Sequence, residues 1–197
     1  PEELAASYGW AHGFLNSNAE LKQKFKEAVA GTWTASKFQA EIRDTKWWKE
    51  TSASRREAQV LQKTDPATWN AQLEATIIQV RQFAAEIGAA VPNSKLSKIA
   101  KNVLQTGMDE GQLRMALGGY VEFTKTGTLR GEAGMHEYTM KQYAFDMGIK
   151  LDPQTIKNQA ARVVKKVATT QDFEDEIRVQ AKSLFPAYEQ QIDAGST

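Results

Sequence analysis

The chain contains no cysteine. That excludes disulfides, zinc–thiolate sites and a thiol nucleophile, and it leaves the redox compartment unspecified. Histidine is nearly as scarce, with only His12 and His136. Neither has a second imidazole at helical ligand spacing, and only Glu132, four residues before His136 in a segment with loop-like composition, is a suitably spaced carboxylate. Both histidines are therefore expected to be exposed or locally satisfied, and no metal or cofactor is assigned. Charge of one sign is also missing. Lys plus Arg number 25 against 24 Asp plus Glu, so no whole-molecule field favours DNA, RNA or an acidic membrane. Long apolar runs are absent too. The longest uncharged run, Leu4 to Ala19, contains Ser7, His12, Asn16, Ser17 and Asn18 and falls short of the roughly 18 apolar residues that a bilayer requires. The chain begins at Pro1 with no basic segment leading into an apolar one, so the expectation is no signal peptide and a piece cut from a longer protein.

What remains is an ordinary globular composition, 41% hydrophobic and 25% charged, in a chain long enough to bury a core. No segment alternates with period two, whereas apolar residues recur at helical spacing throughout. The expected fold is all-α, with about nine helices in repeated helix–turn–helix units packed as an irregular bundle or short solenoid. The repeat shows when the chain is offset by 60 residues. Gln82, Phe83, Ala84, Glu86 and Gly88 then fall on Gln142, Tyr143, Ala144, Asp146 and Gly148, and Leu96, Ala100, Leu113 and Leu117 fall on Ile156, Ala160, Phe173 and Ile177. A shorter echo places Thr34, Phe38, Glu41, Ile42 and Arg43 on Thr169, Phe173, Glu176, Ile177 and Arg178. Repetition of this kind marks stacked supersecondary units.

Punctuation divides the chain into an N-terminal tryptophan-rich unit over 1–63, a central repeat over 64–124 and a C-terminal repeat over 135–197, joined by the glycine-rich loop 124–134. Expected helix starts are Ser17 with Glu20 as a capping box, Thr34, Asp65-Pro66, Asp109, Asp152-Pro153, and Thr169 or Thr170. One weak helix is expected over Leu4 to Leu15 despite two glycines. The third copy should start near Met135, and the run 194–197 should be frayed.

Chemistry is sparse. There is no G-x-S-x-G elbow and no phosphate-binding glycine loop ahead of Lys-Ser/Thr. Glu20, Glu41, Glu122 and Glu137 are equally arbitrary as glycosidase carboxylates, so no catalytic residue is assigned. Lys95, Lys98 and Lys101, with Lys165 and Lys166 beside Lys157 and Arg162, form a candidate phosphate-contacting surface, although a solvated face is the simpler reading. Trp10, Trp33, Trp47, Trp48 and Trp69 all fall in the first 70 residues. Indoles bury large areas and dominate interface hot spots, so these five are the candidate protein-contact residues.

In the order Tyr8-Gly9-Trp10-Ala11, Phe14-Leu15, Trp33-Thr34, Thr45-Lys46-Trp47-Trp48, Thr64-Asp65-Pro66-Ala67-Thr68 and Ala181-Lys182-Ser183-Leu184-Phe185-Pro186, the chain resembles a segment of the large virion proteins of tailed bacteriophages, especially those of actinobacteria. The resemblance covers nearly the whole chain and brings no catalytic motif. It implies a structural part of a phage particle, in the tail or among the internal proteins delivered with DNA, touching other virion proteins. A virion-associated cell-wall hydrolase and a helical nucleic-acid-binding module are the alternative expectations.

Overall fold

A computed structural model describes residues 1–195; Ser196 and Thr197, half of the expected frayed end, lie outside the described residues. Among the described residues the chain is all-α, with thirteen α-helices and no strand, only an isolated antiparallel bridge between Ala89 and Val121. The excess over nine comes from short helices that sequence periodicity merges or passes over. It falls into two compact units, Pro1–Ile77 with Ala100–Gly107, and Ile78–Ile99 with the chain from Met108 onward. The central segment 64–124 thus contributes to both. No helix among the described residues is long and apolar enough to cross a membrane.

The first unit contains α1 (Glu2–Ser7), α2 (His12–Ser17), α3 (Ala19–Ala30), α4 (Ala35–Asp44), α5 (Lys46–Glu50) and α6 (Ala53–Thr64), with the start of α7 (Pro66–Ile87) and the end of α8 (Asn93–Thr106). The single helix expected over Leu4 to Leu15 is broken into α1 and α2, because Gly9 adopts φ +78°, a conformation that cannot continue a right-handed helix. The break turns Tyr8 inward, where its hydroxyl donates to the Trp33 carbonyl at 2.8 Å. Tyr8, Phe25 and Phe38 form an aromatic cluster, Phe38 stacked on Tyr8 at 4.7 Å and edge-on to Phe25 at 6.2 Å. Around it lie the buried Leu15, Leu21, Ala28 and Ile42.

The cap of α3 corrects a sequence expectation. Asn18, not Ser17, accepts from the N–H groups of Glu20 and Leu21, while the Ser17 hydroxyl donates back to the Phe14 carbonyl within α2. Two adjacent cap-type residues, Ser17 and Asn18, make the register ambiguous by one position. With Ser17 used to close α2, Glu20 is free for a different partner.

The second unit holds the end of α7, the start of α8, α9 (Glu110–Leu117), α10 (Gly131–Asp146), α11 (Pro153–Val164), α12 (Thr170–Leu184) and α13 (Glu189–Asp193). Its core joins Met140, Ala144 and Met147 of α10 and the turn after it to Val163, Phe173, Ile177, Ala181 and Ile192. Helix α10 starts at Gly131 instead of near Met135, and so places Glu132 and His136 on one helix. The segment before it is tied down: Leu129 is buried and its N–H donates to the Glu137 carboxylate at 2.5 Å. Glu137, itself buried, also accepts from Lys141 at 2.5 Å. A buried carboxylate with two donors meets the requirement that interior charge be paired and hydrogen-bonded.

Positions matched by the 60-residue offset share local structure. Gly88 and Gly148 both take positive φ at a helix end, and the residue after each donates to the carbonyl five back, Ala89 to Ala84 at 2.7 Å and Ile149 to Ala144 at 2.8 Å. Leu96 and Ile156, Ala100 and Ala160, and Leu117 and Ile177 are all buried. Phe38 and Phe173 are buried while Leu113 is half-buried.

Candidate functional site: a tryptophan-lined cleft

The candidate site is a cleft of about 850 Å³ in the first unit. Its construction starts at α5. Five residues make too short a helix to stand alone, and two acceptors secure its N-terminus. The Thr45 hydroxyl, buried, donates to the Ile42 carbonyl and accepts from the Trp48 N–H. The Glu20 carboxylate, reaching from α3, accepts from the N–H groups of Lys46 at 2.8 Å and Trp47 at 3.0 Å. These are amides the helix itself leaves unpaired, and an anion there is favoured by the helix dipole.

The hydrogen bonds from Trp47, then Lys46, hold the Glu20 carboxyl below the usual carboxylate range. A lowered folded-state value means a contribution that is complete above the ordinary carboxylate pKa and lost as pH falls through the folded-state value. Glu20→Ala should cost about 1 kcal/mol at neutral pH, as for loss of a helix cap, and the gap to the wild type should close in acid. Urea unfolding at pH 7 and at pH 3 checks this; an equal gap at both would remove the carboxylate from the account.

With α5 fixed, its two indoles take different roles. Trp47 is a brace: its ring N–H donates to Gln59 of α6 at 2.8 Å, and its ring meets Phe14 and Trp10 edge-on at 5.6 and 6.1 Å. Trp48 faces the cleft, with the Arg56 guanidinium 4.0 Å from its ring centroid. Arg56 also donates to the carbonyls of Trp48 and Thr51. Five donors in one plane let the guanidinium stack and hydrogen-bond at once.

Trp10 and Trp69 complete the aromatic wall, and Val60, Leu61, Val103 and Leu104 supply aliphatic surface. Trp69 is buried, whereas Trp10 and Trp48 are half-buried. Of the five tryptophans named from sequence, three therefore line one cleft and Trp47 supports it. Trp33 does not line it; its ring carries the Lys37 ammonium at 4.7 Å. The helical spacing of Val60, Leu61, Val103 and Leu104 marks them as inward-facing, with no sign of a site, and the structure places them in the cleft wall. Among the described residues no group of three or more His, Asp or Glu is placed to hold a metal.

The candidate phosphate-contacting lysines belong to two helical segments, α8 and the end of α11. Lys95, Lys98 and Lys101 are exposed along α8. Lys165 is half-buried with its stem against Gly118, and Lys166 lies 3.6 Å from Glu132. Their neighbours are also engaged, Lys157 with Glu122 at 3.0 Å and Arg162 with Glu176 at 3.9 Å. Glu132 further binds Arg114 at 2.7 Å and lies 3.6 Å from His136. Burial raises the Glu132 carboxyl, but the bond and charge of Arg114, with Lys166, outweigh it and hold the group below its ordinary value. His12 is locally satisfied, its ring nitrogen 2.9 Å from the Asn16 amide.

Comparison with protein-family models, with curated proteins and with solved structures gives no match.

Proposed function

We propose that this chain is a structural module of a tailed-phage virion, in the tail or among the internal proteins, that works by protein–protein contact and catalyses no reaction. The observation that carries the contact reading is the cleft walled by Trp10, Trp48 and Trp69. Half-buried indoles over aliphatic side chains release water at little entropic cost when a partner's apolar side chain enters. The assignment to a phage particle rests on the order of residues from Tyr8-Gly9-Trp10 to Phe185-Pro186. In this reading the central and C-terminal segments are repeated helix–turn–helix units of an irregular bundle or short solenoid, a view supported by the matched turns at Gly88 and Gly148. The protein is made in the bacterial host cytoplasm and ends in the particle beside other virion proteins, in many copies.

Mass spectrometry of purified particles tests the proposal. Peptides from the Trp10–Trp69 region should be present at a fixed stoichiometry to the major tail proteins. Their absence from intact virions would refute it.

A further inference from the structure

The three indoles on the wall of the cleft in the first unit are hydrogen-bond donors without acceptors. Trp47 directs its ring N–H to Gln59, but among the described residues the ring N–H groups of Trp10, Trp48 and Trp69 meet no acceptor. Trp69 is the most informative of them. It is 3% exposed, and a buried indole N–H ordinarily has a partner. The described side-chain nitrogens that are both sealed from water and unpaired are His136 Nε2 and Arg178 Nε. The Trp69 N–H is not among them, so the little surface that this residue keeps includes its donor, on a ring that lines the cleft.

The rest of the lining adds one free charge. Arg56 is engaged by the Trp48 ring and two carbonyls, whereas Glu57, exposed on the lining, has no ion pair among the described residues. An occupant must therefore cover an apolar wall, bring acceptors to three donors and meet a carboxylate. Donors that are covered and left unpaired carry their full desolvation penalty. A partner helix brings no acceptors, because its carbonyls are bonded within it. A partner strand has no sheet edge to join among the described residues. An acidic or phosphorylated segment needs free arginines, and the one arginine of the lining is taken. A proline-rich segment in the polyproline II conformation has the matching chemistry: no internal hydrogen bonds, free carbonyls, few N–H groups of its own, and apolar rings.

We propose that the cleft binds a proline-rich segment of a partner protein in the polyproline II conformation. Its proline rings lie against the indoles, its carbonyls accept from the N–H groups of Trp10, Trp48 and Trp69, and a basic residue sits beside Glu57. Such a segment is extended before it binds, so little conformational entropy is lost. This rests on the reading of the cleft as a protein-contact site and names the partner's chemistry. It is tested on purified protein, so a failed peptide titration and the absence of the chain from virions are separate results.

The five indole N–H signals in heteronuclear correlation spectra of the whole chain report the contact one ring at a time. Titration with the end-blocked peptide Pro-Pro-Leu-Pro-Pro-Leu-Arg should move the signals of Trp10, Trp48 and Trp69 downfield along one saturating curve and leave those of Trp33 and Trp47 nearly in place. Trp48→Phe keeps an aromatic ring but removes a donor, and should weaken binding about fivefold. Glu57→Gln should weaken it about threefold, and that loss should vanish for the same peptide ending in Gln instead of Arg. A wild type whose indole signals do not move at millimolar peptide overturns the proposal. So does a stronger response to maltotriose, which would make the cleft a sugar site. A stronger response to an amphipathic helical peptide overturns it as well, while keeping the cleft as a contact site for a different partner.

Discussion

Phe38→Ala should destabilise the first unit by about 4 kcal/mol, within the range for deleting a buried phenylalanine ring. The ring is completely buried and packs against two other aromatics, flat on Tyr8 and edge-on to Phe25. Alanine would remove the transfer energy of the ring and leave a cavity. Its walls cannot readily close, because Tyr8 is held by its hydrogen bond to Trp33. Tryptophan fluorescence in a urea titration reads the effect directly, since all five tryptophans lie within Pro1–Ile77. The comparison is Phe145→Ala, where an 81% exposed ring should cost no more than about 0.5 kcal/mol as a surface change. If the Phe38 variant lost less than roughly half the expected amount, the aromatic cluster would not be the centre of the first unit.

The interactions legible in the sequence are those whose partners lie within one turn of each other. Asp65 accepting from Thr68, Asp109 exchanging bonds with Gln112, Asp152 accepting from Thr155 and Thr169 paired with Asp172 all span three residues. Local spacing therefore suffices to place those helix starts. Burial of the stripe through Ile156, Ala160, Val163 and Val164 follows equally from its period. Glu20 shows where that logic stops. Its spacing from Ser17 suggests a capping box, yet the amides it serves belong to Lys46 and Trp47, brought near only by the packing of α3, α4 and α5. The cleft is a similar case. Tryptophan abundance pointed to contact residues, but separating the lining Trp48 from the bracing Trp47 requires knowing that Gln59 sits beside one indole and Arg56 over the other. On α10 the inward period masked the outward one, because Met135, Tyr138 and Phe145 interleave with the core residues.

Gly88→Ala should cost about 3 kcal/mol, against about 1 kcal/mol for Gly148→Ala, the first figure combining backbone strain with a steric clash and the second mainly strain. Both glycines close a helix at positive φ, +85° and +68°, with the same pair of terminal hydrogen bonds. Their surroundings differ. A Cβ at Gly88 would overlap the carbonyl of Arg130, which is main chain at the start of α10 and cannot move without shifting that helix. At Gly148 the nearest foreign atom is the edge of the Phe185 ring at 3.3 Å, a partly exposed side chain that can rotate aside. Urea unfolding of the two variants by far-ultraviolet circular dichroism separates the contributions. Equal losses would show that conformational strain alone sets the cost and that the junction of α7 with α10 yields. A threefold difference would locate the rigid point of the second unit at that junction, where residue 88 must be glycine both for its φ and for the space that its missing side chain leaves to Arg130.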